Sequence, residues 1–191
     1  MDITAFLLYC VIVTFTPGPT NIVILSTVHN NGTKKALQYT YGATIAFGLL
    51  LIISAMLNTM LLEIVPKIIL IMQLIGSLYM FYLAYQICKA DTSKQAVKQT
   101  ASFRSGFLMQ FLNPKVVLFT VTVIPSFILP YYQALSTVII SVIGITIIGF
   151  SAFITWVLFG TIFKTFLQKH KKIVNVCMAL FLAYSGIVNW M

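Results

Sequence analysis

Long apolar stretches occur along the whole chain, and they restrict its fold more than any other feature. Apolar runs of about 20 residues can cross a bilayer as α-helices. Of the 191 residues, 60% are hydrophobic and 8% are charged, whereas soluble domains carry about 25% charged residues. Runs such as IIGFSAFITWVLFG, residues 147–160, do not alternate between apolar and polar positions, as the strands of a membrane barrel would. The sequence therefore predicts an all-α integral membrane protein.

Six apolar stretches are long enough to span the membrane. The N-terminus, MDITAFLLYC, lacks the basic region of a cleaved signal peptide, so we expect the first span to be retained. We expect His29 at the inner end of this span and His170 in a basic loop, both at the membrane interface. The predicted spans are Ile3–Val28, Ala36–Asn58, Ile64–Cys88, Phe103–Leu129, Ser136–Phe163 and Ile173–Trp190.

The basic residues are concentrated in alternate connections between these spans, and the formal net charge is +9. Short loops rich in lysine and arginine stay in the cytoplasm, so we expect both termini to face outward. The positive charge thus indicates membrane topology, and nucleic acid is not an expected partner. Most of the 12 basic residues lie in the first, third and fifth connections: Lys34, Lys35, Lys89, Lys94, Lys98, Arg104, Lys164, Lys169, Lys171 and Lys172.

The two halves of the chain resemble each other, which predicts an internal repeat. Three pairs of similar segments occur in the same order and at nearly equal offsets. With three spans in each half, the second copy would enter the membrane upside down. We therefore predict one transmembrane domain built from inverted repeats, over residues 1–90 and 101–191 approximately. The matching segments are PGP at 17–19 with NPK at 113–115, LAY at 83–85 with LAY at 182–184, and GATIAFG at 42–48 with GITIIGF at 144–150.

Each half places helix-breaking residues inside its first span. Thr16 before Pro17, and Asn113 before Pro114, both have the pattern of an N-cap followed by proline at the first helical position. We therefore predict that helices 1 and 4 are interrupted at mid-membrane by a helix start, which carries unpaired N–H groups and a positive dipole end. Paired interrupted helices indicate a transporter's binding site. The alternative is a simple proline kink in each span.

Lys115 lies near the centre of the fourth predicted span. A lysine at this depth costs about 2.5–3.5 kcal/mol on insertion scales, and its side chain is far from either interface. The three acids, Asp2, Glu63 and Asp91, all fall at span ends or in a connection. With two helix starts nearby, the local field would be positive. We therefore predict that a substrate carboxylate pairs with Lys115.

Several motifs resemble the lysine exporter (LysE/RhtB) superfamily of amino-acid efflux proteins. They are TPGPTN in the first span, GATIAFG in the second, GSLYMFYLAY in the third, and FRSGFLMQFLNPKVVLF followed by IPSF in the fourth. The chain departs from the family pattern at Thr20, where asparagine is more usual, and at residues 84–85, where glycine and tryptophan are usual. The resemblance implies that the functional positions are Pro17, Gly18, Pro19, Asn21, Asn113, Pro114 and Lys115.

The resemblance also implies a six-helix exporter of the bacterial inner membrane, driven by the proton motive force. The lysine-exporting branch carries an acid in its second helix, where this chain has GATIAFGLLLIIS. We therefore expect a neutral amino acid or derivative, such as homoserine, threonine, leucine or a cysteine-like compound, exchanged for protons by alternating access. So small a bundle makes a homodimer reasonable.

Two other functional classes stay open. One is a channel for water or small solutes, because paired Asn-Pro motifs also occur on half-helices of water channels. The other is a membrane enzyme or thiol carrier, which the sequence disfavours because it has no catalytic constellation, no metal-ligand motif and no cysteine pair. We predict no cofactor. The predicted substrate site therefore consists of Thr16 together with the seven positions that the family resemblance supplies.

Overall fold

The computed structural model describes residues 2–56, 58–89, 102–132 and 134–188, and side chains within these ranges except those of 58–70, 72 and 73. Some predictions fall outside this part of the chain. They concern the loop residues Lys94, Lys98 and Asp91, the side chain of Glu63, and the C-terminal end of the last span at Trp190.

The described residues are almost entirely helical and contain no strand. In the first half, the helices are α1 (Ile3–Phe15), α2 (Pro19–Asn31), α3 (Thr33–Met56) and α4 (Asn58–Lys89). In the second half they are α5 (Phe103–Leu112), α6 (Pro114–Val123), α7 (Leu135–Ile162), α8 (Lys164–Lys169) and α9 (Lys171–Val188). A π-helical turn, Ile124–Ile128, continues α6. The predicted all-α class is confirmed for these residues.

Three helices, α3, α7 and α9, are each long and apolar enough to cross a membrane. Two helix pairs reach this length together but are bent, α1 with α2 by 45° and α5 with the Pro114–Ile128 segment by 68°. The described residues thus provide up to five spans. The third predicted span falls in α4, part of whose side chains lie outside the description, so the total of six and the inverted repeat stay predictions.

Close backbone contacts join α3 to α5 near the start of each helix. A Cβ atom on Gly42 would lie 2.0 Å from the backbone oxygen of Phe103, and one on Gly106 would lie 2.0 Å from that of Tyr39. Only glycine fits at either position. Small residues at such crossings are typical of membrane helices, which gain contact area when their backbones approach closely. This crossing fixes the start of the second half against the middle of the first.

The buried apolar residues form two clusters, which meet at the level of the helix breaks. One cluster contains residues of α2, the first half of α3, the second half of α4, α5, the second half of α7, α8 and α9. The other contains residues of α1, the second half of α3, α6 and the first half of α7. The α1–α2 and α5–α6 breaks therefore lie side by side between the two clusters. His29 lies in the last turn of α2 and is packed inside the protein, with 5% of its surface exposed. Its predicted position at the level of the membrane interface stays a prediction.

Candidate functional site

Two prolines one residue apart determine how the first broken helix is divided. The residue before a proline is kept out of the α region, and both Thr16 and Gly18 precede a proline. Accordingly Thr16 has φ −58° and ψ 135°, and Gly18 has φ −162° and ψ 175°. α2 therefore begins at Pro19 with Gly18 as its N-cap. The prediction that Thr16 is an N-cap followed by Pro17 in the helix is wrong, because Thr16 is the C-cap of α1.

The carbonyl oxygens at the end of α1 accept hydrogen bonds from side chains of other helices. Such carbonyls have no partner within their own helix. Asn21 Nδ2 donates to the carbonyl oxygens of Thr14, at 3.2 Å, and of Thr16, at 3.1 Å. Lys115 Nζ donates to the same Thr16 oxygen at 3.0 Å. The end of α1 is thereby held by α2 and by α6.

Trp156 supplies a third contact to this end of α1. Its indole Nε1 donates to the carbonyl oxygen of Phe15 at 3.3 Å. Three successive carbonyls of α1, from residues 14 to 16, thus bind an amide, an indole and an ammonium group from three different helices. The negative end of the α1 dipole is therefore enclosed by hydrogen-bond donors, without a described acid nearby.

The second break follows the predicted pattern. Asn113 is the N-cap of α6, with φ −93° and ψ 102°, and Pro114 occupies the first helical position. The Asn113 Oδ1 accepts from the backbone N–H of Lys115 at 3.2 Å. At this break the helix is interrupted and starts again with its own N-cap, so it is not a simple proline kink. The start of α6 is therefore already satisfied by its own asparagine, whereas the start of α2 has no side-chain cap.

A buried polar network joins the two breaks. Asn113 Nδ2 donates to Thr20 Oγ1 at 3.0 Å, and Gln110 Nε2 donates to the same hydroxyl oxygen at 3.2 Å. All three residues are buried, and Gln110 is 0% exposed. Buried polar groups in a membrane protein need partners, because lipid supplies none. The first turn of α2 and the start of α6 are therefore tied through one threonine hydroxyl.

Lys115 is partly buried and its side chain lies against Gly18. A Cβ atom on Gly18 would lie 3.4 Å from both Cδ and Nζ of the lysine. The only acid whose side chain the structure describes is Asp2, whose Oδ1 accepts from the backbone of Thr4 at 2.9 Å and of Ala5 at 3.1 Å. No described carboxylate therefore pairs with Lys115, and its described hydrogen-bond partner is a carbonyl.

At each break a helix start lies next to a helix end. Each helix start lies beside the C-terminal end of the preceding helix, at Thr16 for α1 and at Leu112 for α5. The partial charges of a start and an end have opposite signs and offset each other within about one turn. The two helix starts therefore contribute less positive charge than the sequence suggests, and Lys115 contributes a full one.

A small cavity lies between the two breaks, and the centres of water molecules can occupy about 30 Å³ of it. This space accommodates a few waters. Its polar wall consists of Thr14, Gly18, Thr20, Asn21, Asn113 and Lys115, and its apolar wall of Val13, Phe47, Val116, Phe119 and Phe153. Within the described residues, no three His, Cys, Asp or Glu side chains come together as metal ligands.

A family model of the LysE type translocator matches residues 11–189. The chain belongs to the LysE family. Among the relatives of this LysE-family protein are the cysteine/O-acetylserine efflux proteins of Escherichia coli K12, Shigella flexneri and Shigella sonnei Ss046. Each is 29% identical over 186 residues, which cover 97% of this chain and 95% of the relative. No solved structure matches the chain. The family resemblance read from the motifs is confirmed.

In this LysE-family protein, the predicted positions divide into two groups. Gly18, Asn21, Asn113 and Lys115 line the cavity. Thr16, Pro17, Pro19 and Pro114 do not line it, and they act on the backbone by ending or beginning helices. Gln110 and Trp156 are not among the residues predicted from the sequence, although a glutamine three residues before the Asn-Pro pair in an apolar span indicates a functional position.

Proposed function

We propose that this protein exports a small neutral amino acid, or a small derivative of one, from the bacterial cytoplasm. The observation that carries the proposal is a single lysine, Lys115, at the junction of two broken helices and without a described carboxylate partner. The names of the relatives support substrates such as cysteine and O-acetylserine. Homoserine, threonine and leucine have the same charge and belong to the same proposed class.

The substrate carboxylate would bind between Lys115 and the start of α2. Pro19 has no N–H, and Ile22 N already donates to Gly18 O at 2.9 Å. The backbone N–H groups of Thr20 and Asn21 are therefore the ones that α2 leaves outside its own hydrogen bonds. The corresponding N–H of Lys115 is occupied by Asn113. The proposed anion site thus uses one helix start, rather than the two that the sequence suggested.

The preference for neutral substrates follows from charge balance. An additional cationic side chain on the substrate would need a negative partner at a depth where an unpaired charge is costly. Within the described residues, the segment 42–54 of α3 contains no acid, and the acid that is described, Asp2, caps α1. Lysine and arginine are therefore expected to be poor substrates.

Alternating access would arise from two inverted halves, each with three spans. A two-fold axis that relates the two halves would make the α1–α2 pair equivalent to the α5–α6 pair, α3 equivalent to α7, and α4 equivalent to α9. Some contacts support this equivalence, because α3 packs on α5 as α7 packs on α1 and α2, and the α3–α7 and α4–α9 pairs map onto themselves. The packing of α2 on α3 is more extensive than that of α6 on α7, so the two halves are not equivalent in every contact. We propose that rocking of the halves opens the cavity to each side in turn.

We also propose that the protein lies in the inner membrane with both termini facing outward. Export would be coupled to the entry of protons. The lysines of the first and fifth connections support the orientation, because Lys34, Lys35, Lys164 and Lys169 are all exposed. A homodimer stays part of the proposal as the simplest assembly of a small bundle.

The test is efflux from proteoliposomes that contain the purified full-length chain. Vesicles would be loaded with labelled cysteine, O-acetylserine, serine, threonine or lysine, and release would be followed with and without an imposed pH gradient. We expect gradient-dependent release of the neutral compounds and little release of lysine. Release of lysine alone would reject the proposed substrate class. Osmotic swelling that is insensitive to the gradient would instead indicate a channel.

A further inference from the structure

The side-chain amide of Asn21 has one hydrogen-bonding group left over. Its Nδ2 donates to the Thr14 and Thr16 carbonyl oxygens, at 3.2 and 3.1 Å, so both amide hydrogens are in use. Its Oδ1 is buried and has no hydrogen-bond partner. The whole residue is 4% exposed, and it lines the cavity between the breaks. Asn21 therefore lines the proposed substrate site and carries a buried, unsatisfied acceptor.

The two carbonyls determine the orientation of this amide. Turning the amide by half a rotation would place Oδ1 against the Thr14 and Thr16 oxygens, and three acceptors would then meet without a proton between them. The oxygen is therefore the group that stays unpaired. A buried amide oxygen without a partner destabilises a folded protein, so a ligand that donates a hydrogen bond to it would be favoured.

The surroundings of Asn21 suit a positively charged donor. The carbonyl oxygens of Thr14 and Thr16, which the Asn21 amide binds, carry partial negative charge beside it. The hydroxyl proton of Thr14 is used on the Cys10 carbonyl oxygen at 2.7 Å, so the Thr14 hydroxyl oxygen is a second acceptor on the cavity wall. An ammonium group, with three donors and a full positive charge, has the matching chemistry.

We infer that Asn21 is the residue that recognises the ammonium group of the transported amino acid, through its Oδ1. The inference rests on the proposed function and adds an ammonium-binding position to the carboxylate-binding position at Lys115. Asn21 and Lys115 both donate to the Thr16 carbonyl oxygen, so the two groups are neighbours. The ammonium and carboxylate of an α-amino acid are neighbours too. The pair therefore recognises the zwitterionic head group, while the side chain of the substrate lies among the apolar residues.

Recognition of the ammonium group predicts a sharp selectivity among close analogues. Cysteine carries both charged groups, 3-mercaptopropionate lacks the amino group, and N-acetyl-cysteine has it acylated and neutral. A hydrogen bond to a charged group changes binding by roughly ten- to a hundredfold. The two analogues should therefore bind at least tenfold more weakly than cysteine, although each keeps the carboxylate and the thiol.

The first experiment measures analogue competition with the wild-type protein. Proteoliposomes loaded with unlabelled cysteine would take up labelled cysteine by exchange, with each analogue added outside under reducing conditions. We expect serine and O-acetylserine to inhibit, and 3-mercaptopropionate and N-acetyl-cysteine to need at least tenfold higher concentrations. Equal inhibition by cysteine and 3-mercaptopropionate, with exchange intact, would overturn the role of Asn21 while leaving the proposed function in place. Absence of exchange or efflux for every amino acid would overturn both.

The second experiment uses Asn21→Ala with Asn175→Ala as its matched control. Asn175 is an equally buried asparagine on α9, where it accepts from Asn30 Nδ2 at 3.3 Å. Asn21→Ala should raise the KM for cysteine about tenfold or more and leave the weak inhibition by 3-mercaptopropionate unchanged, whereas Asn175→Ala should change neither. An unaltered ratio between the two compounds in Asn21→Ala would reject the inference. A sodium requirement that disappears in the variant would also reject it, because the acceptors would then bind a metal cation.

Discussion

The ammonium group of Lys115 donates a hydrogen bond to the carbonyl oxygen of Thr16 at 3.0 Å, so the second broken helix caps the end of the first. This bond joins residues from the two halves of the chain. A substrate carboxylate would be a stronger partner for the ammonium than a neutral carbonyl. Arrival of the substrate would therefore exchange a contact between the halves for a contact with the ligand, which links binding to the motion proposed for transport.

Replacing Lys115 with methionine should abolish efflux and leave the protein folded and inserted. Methionine keeps much of the bulk but cannot attract a carboxylate. The lost hydrogen bond and the removed burial of a charge have opposite effects on stability, each of about 2–3 kcal/mol, so the free energy of unfolding should change little. Efflux at equal expression is the measurement, with Lys164→Met, an exposed lysine, as control. Normal transport by Lys115→Met would make the lysine an anchor only.

The two prolines of the first break should act together. In Pro17→Ala, Gly18 still precedes Pro19, so the break should persist and efflux should fall only partly. In the double variant Pro17→Ala/Pro19→Ala, nothing but Gly18 opposes a continuous helix, and efflux should fall much further. Pro114→Ala should likewise reduce efflux by joining α5 and α6. Equal rates for the single and double variants, at matched expression, would show that the break does not depend on both prolines.

The crossing of α3 and α5 should not tolerate a methyl group at Gly42. The new Cβ would lie 2.0 Å from the Phe103 backbone oxygen, so the helices would have to separate. We expect a loss of about 1–3 kcal/mol, measured as thermal unfolding in detergent. Gly144→Ala is the matched control, because its Cβ would meet no atom within 4 Å. A melting temperature of Gly42→Ala close to that of Gly144→Ala would contradict the crossing.

Thr20 and Gln110 should be energetically coupled. Thr20→Val removes the acceptor of two buried amides and should cost about 1–3 kcal/mol, and Gln110→Leu should cost less because it removes a donor together with its need for a partner. The double variant should be more stable than the sum of the single changes predicts, as expected for residues in contact. A double-mutant cycle by chemical unfolding measures the coupling. Simple additivity would mean that the network is not formed.

Reporter fusions should place the basic connections in the cytoplasm. A topology reporter fused after Lys35, Lys98 or Lys172 should indicate the inside, and reporters at both termini the outside, because basic short loops are retained in the cytoplasm. Lys35 and Lys172 are exposed at helix starts in the structure, and Lys98 lies outside the described residues. A terminus located in the cytoplasm would overturn the six-span arrangement or its orientation.

Local chemistry made part of this site predictable. The start of α6 at Asn113 and Pro114 follows from an N-cap and a proline that are adjacent in the chain. The same N-cap and proline pattern predicted that α2 starts at Pro17, whereas it starts at Pro19. The sequence does contain the information needed to place this start correctly. Applied to both prolines, the restriction on the preceding residue excludes Thr16 and Gly18 from the helix and leaves Pro19 as the first helical residue.

The sequence by itself determined the helical class, the LysE-family membership, the two interrupted helices and the presence of a lysine between them. Apolar length, proline chemistry and motif order are properties of short segments, so they can be read without coordinates. Only the tertiary structure decided that Lys115 binds the Thr16 carbonyl, that Gln110 reaches Thr20 and that the Asn21 oxygen is left unpaired. These contacts depend on where α5 crosses α3, and the close backbone approach at Gly42 and Gly106 determines that crossing. The crossing joins segments that are far apart in the chain, so it cannot be predicted from either segment alone.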